Sequence, residues 1–400
     1  ATLAGATSFS GGRGHIVIGG EYSKSGGVGD CYTREWCAIS YNTISNPTPA
    51  VNGLARQVIL PNSRPSTATF GGIITSGVLK GTEFGPGSTY FPHDYGTFFG
   101  AGIFQSGGGA DPVNGFYNNY PLVAPVERLT FMGNASYDIT DNASLFMQAS
   151  YGKVNSSTLG ASSRNLGNIT IQRDNAYLPA ALRAKMLAAG QTSFLFGRIA
   201  DDIGPPVADV SRETYRIVTG AKGDAGILKW DLYYQYGRTN YSQTTTNTQI
   251  TDNFARAVDA VDQGLLTTGV ANGNIVCRTT ITQPGNPLVA GCKPLNLFGQ
   301  NMFDPAAVAY AYGTAWQKTH ISQHVAALNL QADLAQLQGG ALSVAGGAEY
   351  RVEDVEGTAD EISKALRFLT SPGQAITGPA IKVKEAYVEV GAPVLADRPF

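Results

Sequence analysis

The chain contains no run of 18 or more apolar residues, so no helix is predicted to cross a bilayer. Charge is scarce too: 14% of residues are Asp, Glu, Lys or Arg, and the formal net charge is −2. Without a basic stripe, no nucleic-acid partner is expected. There is no G-x-S-x-G elbow, no P-loop and no convincing pairing of a nucleophile with a histidine. Neither enzymatic activity nor a cofactor is therefore predicted. The chain opens on a strand-like segment, TLAGATSF, with no basic and apolar leader before it. The expectation is that an export signal was removed, or that the chain is part of a longer product.

What is abundant points elsewhere. Glycine accounts for 49 of 400 residues, about 12% against a usual value near 7%, and there are 19 Tyr. Both suit tightly curved strands with aromatic girdles. The most informative stretch runs from Glu127 to Gly152. Leu129, Phe131, Gly133, Ala135 and Tyr137 share one side of its first arm, and Thr130, Met132, Asn134, Ser136 and Asp138 share the other. In the second arm Leu145, Met147, Ala149 and Tyr151 oppose Gln148, Ser150 and Gly152, with Phe146 as an intruder on the polar side. Asp138 to Asn142 supplies turn chemistry between the arms. This is a β-hairpin with one apolar and one polar face. Its arms of roughly 9–11 residues match a tilted membrane strand, whereas soluble strands run nearer 5–6.

In chain order, TLAGATSF and HIVIGGEYS form a first hairpin across Gly11 to Gly14. Residues 24–125 form a long loop with β-like runs around Gly72 to Val78 and Thr97 to Phe104. A third hairpin spans Glu213 to Thr239, turning at Lys222 to Gly226. Residues 243–319 form a loop with two short helices, DNFARAVDAVDQ, capped by Asp252, and DPAAVAYAYG. A fourth hairpin covers Ala326 to Arg351, turning at Gln338 to Gly340, and KVKEAYVEVGAPVL supplies a ninth strand. Every hairpin turn is short and every other connection long, the asymmetry of outer-membrane barrels. Glu21, Asp231, Asp333, Glu349, Arg351 and Glu389 all fall on the polar phase, where a wet interior would solvate them; on a lipid face each would cost up to several kcal/mol. Lys384 sits on the outward phase, close enough to a loop to reach headgroups.

Cys31 with Cys37, and Cys277 with Cys292, form two local pairs in polar stretches. Loop-closing disulfides in an oxidising space are the first reading and a metal site the rival, although no C-x-x-C or nearby His accompanies them. The aromatic cluster Tyr90, Phe91, His93, Tyr95, Phe98 and Phe99, followed by Phe116, Tyr117 and Tyr120, offers stacking platforms for sugar rings or an aromatic chelate. A loop that long also needs a small core of its own, which the same residues would supply. His320 and His324 have helical zinc spacing, but at a strand start that spacing sets them about 13 Å apart, so no metal site is expected. Glu353, Asp354, Glu356, Asp360 and Glu361 read as a solvated loop face ahead of a Ca²⁺ site. N-x-S/T triplets, one at Asn134, carry no glycosylation meaning if they lie in bacterial strands.

GRGHIVIGGEYS, GVLKGTEFGPG, the hairpin VERLTFMGNASYDITDNASLFMQASYG, PLNLFG with the DPAAVAY run after it, GGAEYRVED and KVKEAYVEVGAPVL follow one another across nearly the whole chain. In that order they resemble the barrel portion of TonB-dependent outer-membrane receptors, especially the carbohydrate- or oligopeptide-type group of sphingomonad-like Gram-negative bacteria. The resemblance implies uptake of a scarce nutrient (an oligosaccharide, peptide or iron chelate) through the bacterial outer membrane, energised through TonB. It also implies a plug domain and, typically, 22 strands.

Here about nine strands are visible and nothing resembles a plug. Two open edges in hydrocarbon would strand a row of backbone groups, so residues 1–400 are expected to be an internal part of an all-β, antiparallel transmembrane barrel with long extracellular loops. LADRPF, ending at Phe400, has a proline and two charges where a terminal strand should alternate, which also favours truncation. The expected partners are outer-membrane lipid, the TonB complex through an absent plug, and a small nutrient ligand. The alternatives are a passive porin-like channel and a surface adhesin or structural β protein.

Overall fold

The computed structural model describes residues 1–98, 100, 102–111, 121–370 and 373–395. Nine strands form one sheet, and their order in the sheet is their order in the chain. They are β1 (Thr2–Phe9), β2 (Gly14–Ser25), β3 (Val126–Thr140), β4 (Ala143–Leu159), β5 (Val207–Ala225), β6 (Leu228–Gln249), β7 (Tyr312–Leu337), β8 (Gly340–Ala359) and β9 (Ile381–Gly391). Every neighbouring pair is antiparallel. The fold class is all-β, a nine-stranded part of a barrel.

The tight turns are Asp141–Asn142, Gly226–Ile227 and Gln338–Gly339, with Ser10–Arg13 between β1 and β2. Gly226 adopts φ +68°, a left-handed conformation that glycine takes at no steric cost. Two of the turns lie later than the sequence places them: Lys222 is still in β5, and Asp138 in β3. Residues 26–125, 160–206, 250–311 and 360–380 make the opposite connections, so all long segments emerge at one end.

Register turns the period-two pattern into continuous rows. Ile18, Gly133, Ala149, Ile217 and Tyr236 lie side by side across β2 to β6. Leu232, Leu328, Ala348 and Ala386 continue an apolar row across β6 to β9. An aromatic belt of Tyr22, Phe131, Tyr151, Tyr215, Tyr236 and Tyr350 bounds these rows on the long-segment side, and Phe9, Tyr137 and Trp230 lie toward the turns. From Leu228 to Tyr236 the apolar stretch spans about 27 Å along β6 at ~3.4 Å per residue; tilted by roughly 40° it stands about 21 Å tall, close to the ~25 Å band of a membrane barrel. Lys384 lies over the Tyr350 ring at 5.9 Å, at the belt.

The strands run well past that band. β7 has 26 residues and β6 has 22, not the 9–11 expected. The excess lies on the long-segment side, where SQTTTNTQ of β6 is polar on both faces and carries no alternation to read. Glu353, Asp354 and Glu356 therefore belong to β8, not to a loop face. Asp360 caps the short helix Glu361–Lys364 by accepting from the Ile362 and Ser363 amides.

Among the described residues no helix is long and apolar enough to cross a membrane, which says nothing of strands.

Candidate functional site

The three longest connections do not hang as separate loops. Residues 26–125 contribute Phe84, residues 160–206 contribute Phe196, and residues 250–311 contribute Phe298. These rings meet with centroids 4.9 Å (Phe84 to Phe298), 5.3 Å (Phe196 to Phe298) and 5.9 Å (Phe84 to Phe196) apart. All three are at most 1% exposed. Ile74, Ile171, Leu182, Met186, Phe254 and Leu297 complete the same core. Each large side chain removed from water contributes about 1.5–3 kcal/mol, so the three segments stabilise one another as a cap. Close approach demands glycine at position 72: its φ is +96°, and a Cβ there would lie 2.0 Å from the Phe196 ring.

A five-stranded sheet runs through the cap in the order Arg164–Gln172, Ser193–Ile199, Ile73–Ile74, Thr82–Phe84, Tyr90–Pro92. The β-like run expected from Gly72 is the strand Ile73–Ile74; that expected from Thr97 is confined to Phe104–Ser106 and a single bridge from Thr97 to Ser106. Helix Ala180–Ala188 was not anticipated, although Pro179 before it and Gly190 after it are boundary signals. DNFARAVDAVDQ breaks into helix Thr251–Val258 and strand Ala260–Asp262. Asp252 does not cap that helix; it lies inside the first turn and pairs with Arg367 at 2.8 Å.

Arg198 joins two of the segments electrostatically, and a backbone bond ties in the third. It is 2% exposed, and its Nη2 donates to Asp202 Oδ2 at 2.7 Å and to the Gly299 carbonyl at 3.0 Å. The Asn301 amide donates to the same Asp202 oxygen, and the Gly299 amide to the Gly71 carbonyl. The Phe303 ring lies 4.3 Å from the Arg198 guanidinium carbon.

The sequence-selected aromatics occupy one side of this cap with different fates. Tyr90 and Phe91 are 42% and 36% exposed. Tyr95 and Phe98 stack at 5.4 Å, and Tyr95 meets the edge of His93 at 4.5 Å. His93 is buried: Nδ1 lies 2.6 Å from Glu83 Oε2, and Nε2 lies 2.8 Å from Gln105 Oε1. With both nitrogens engaged, it ties the segment together and presents no stacking surface. Phe99, Phe116, Tyr117 and Tyr120 lie outside the described residues.

Burial alone would lower the His93 pKa, but hydrogen bonds to the Glu83 and Gln105 oxygens, with the charges of Glu83 and Asp111, hold it above the ordinary histidine value. Burial pushes Asp111 up to about 6, against the Phe70 amide that donates to its carboxylate. Glu83 repels its negative charge, while Arg64 and His93 oppose that rise. Sequence gave no sign of Glu83, Gln105, Asp111 or Arg198, because their partners are distant in the chain.

Below the cap the polar face of the sheet carries a hydrogen-bonded ladder. Arg216 donates through Nε and Nη2 to Gln235, Gln235 to Gln323, and Gln323 to Glu353. Arg351 lies 3.4 Å from Glu349 and 3.5 Å from Glu353. Nearer the turns Asn329 donates to Asp231 and Ser343 to Asp333. Of the charges placed on this phase by sequence, Glu349 and Arg351 pair with each other and Asp231 and Asp333 accept from polar neighbours, while no such partner is described for Glu21 and Glu389.

Cys31 bonds Cys37 (Cα atoms 5.5 Å apart) and Cys277 bonds Cys292 (6.2 Å). His320 and His324 point away from the ladder and hydrogen-bond Asn240 and Tyr234 respectively. Among the described residues no three His, Cys, Asp or Glu side chains gather as a metal site would need.

Neither a protein-family model nor a curated protein matches the chain. Three solved structures are similar over nearly all of it. The open form of the ferric-catecholate import receptor Fiu from E. coli K12 is 10% identical, with 97% of this chain and 48% of that chain covered and a TM-score of 0.29. The siderophore receptor PiuA from Acinetobacter baumannii is 12% identical, with 97% and 44% covered and a TM-score of 0.27. The ferric preacinetobactin receptor BauA from Acinetobacter baumannii is 12% identical, with 98% and 42% covered and a TM-score of 0.30. The chain therefore spans less than half the length of these structures. Likeness at this level is too slight to decide fold or function, which rest on the strand register and the cap.

Proposed function

We propose that residues 1–400 are part of an outer-membrane receptor that takes up a scarce small nutrient, with its cap outside the cell and its polar face lining the path inward. The observation that supports this most is the division of the molecule along its strands. An apolar band closes on short turns at one end, and three long segments fuse into a packed cap at the other. The apolar rows face hydrocarbon, and the ladder from Arg216 to Glu353 faces water.

The edges of β1 and β9 have no strand partner among the described residues. In hydrocarbon each would leave a row of amides and carbonyls unsatisfied, so further strands pair there, completing a larger barrel of 22. Uptake in this reading is energised through TonB acting on a plug, and no chemistry is performed on the cargo. The exposed faces of Tyr90 and Phe91, with the Tyr95 and Phe98 stack, are the part of the cap suited to a flat or cyclic ligand. An oligosaccharide, a peptide or an iron chelate would each present such a surface. The test is uptake by cells that carry the intact protein but lack TonB. Abolished uptake is expected, whereas uptake that continues undiminished rejects active transport and leaves a passive channel.

A further inference from the structure

The outward face changes character above the aromatic belt. One row there reads Lys24, Glu127, Asn155, Ser211 and Ser242 across β2 to β6. The next row reads Ser157, Asp209 and Thr244. Together with Pro125 they line a hollow of about 410 Å³. Two of its polar groups are held in place: Ser211 donates to Asn155 Oδ1 at 2.8 Å, and Tyr22 of the belt donates to Glu127 at 3.2 Å. These side chains share the phase of Tyr151 and Tyr215, so the hollow opens on the outer wall, away from the polar ladder.

Height and charge together select the occupant. Asn155 and Ser211 each lie four residues above a belt tyrosine, about 14 Å along the strand and, at roughly 40° tilt, about 10 Å above the belt. The polar zone of a bilayer leaflet is only about 5–8 Å deep, which puts a phosphate below the hollow. Glu127 and Asp209 outnumber Lys24, so a bare phosphate would meet net negative charge. Hydroxyls, one amide and the apolar Pro125 ring complement a neutral sugar ring, which offers donors and acceptors on its edge and C–H groups on its face.

We propose that this hollow binds the sugar headgroup of a glycolipid in the surrounding leaflet. The proposal rests on the outer-membrane reading above, and the experiment separates the two. The intact protein is reconstituted in phosphatidylcholine vesicles that contain a small fraction of diglucosyl diacylglycerol or of phosphatidic acid, and native mass spectrometry counts the lipid retained. Selective retention of the diglucosyl lipid is expected, reduced about tenfold by Asn155→Ala with Ser211→Ala and, independently, by Ser242→Ala with Thr244→Val. Equal retention by the parent and both variants, or preferential retention of phosphatidic acid, overturns the proposal. In a variant whose sole tryptophan is Trp230, brominated acyl chains report whether that residue borders hydrocarbon. Quenching without glycolipid retention rejects the hollow alone, and absence of quenching rejects the membrane wall and the hollow with it.

Discussion

The wall and the cap use the same apolar side chains for opposite purposes. Leu232 and Leu328 in the wall are 47% and 43% exposed, while Phe84, Phe196 and Phe298 in the cap are at most 1% exposed. The wall is ordered by backbone pairing, which holds its register without a second layer. The cap has short elements and depends on side chains meeting across segments far apart in the chain. A substitution should therefore act through core packing in the cap and through the surrounding solvent in the wall.

The largest test of that contrast is Phe196→Ala. It removes the ring shared by all three segments and should cost about 3–5 kcal/mol in the cap, read as loss of amide-exchange protection across residues 160–206 with the pairing of β3 to β8 retained. Arg198→Ala should cost a similar ~3–5 kcal/mol by leaving Asp202 buried without its partner. Simultaneous loss of protection in the wall would show the two regions to be one cooperative unit.

In the wall, Ile217→Arg places a charge in the middle of the apolar row and should cost about 2–4 kcal/mol of stability in a bilayer, measured by folding into vesicles. Thr214→Arg, exposed on the polar face of the same strand, should cost much less. Equal costs would remove the distinction between lipid and water faces.

Proton linkage gives a test confined to the cap. Asp111 has its folded pKa raised from 3.8 to about 6, so the folded form holds its proton more tightly than the unfolded one. Stability is then highest below pH 4 as far as this group is concerned and falls by roughly 3 kcal/mol as pH rises through 6. His93, also raised, adds stability that is full below about 6.5 and lost as pH climbs past its folded value. Asp111→Asn should flatten protease resistance of the cap between pH 4 and 6 and leave the wall unchanged.

The smallest expected effect comes from reducing the shorter of the two bridges. Opening Cys277–Cys292, which closes 15 residues, should cost about 3 kcal/mol; opening Cys31–Cys37, which closes six, should cost about 2 kcal/mol. Differential protease nicking near each bridge would separate them.

The wall was legible because alternation is a local signal. Leu129 to Tyr137 and Leu145 to Tyr151 announce faces, partners and turn without knowledge of anything distant. The overhang of β6 and β7 was not, since a strand wet on both faces needs no alternation. The cap was least legible. Phe84 and Phe298 are separated by more than half the chain, and no periodicity connects them. His93 shows the same limit: its neighbours in sequence suggested a ligand surface, while Glu83 and Gln105 enclose it.

The overhang has a mechanical consequence. Above the belt β7 continues from His324 back to Tyr312, roughly 40 Å of paired backbone at ~3.4 Å per residue. The cap thus stands on stilts rather than resting on the aromatic belt. The rungs from Arg216 to Glu353 stand part-way down, a polar landing between cap and turns.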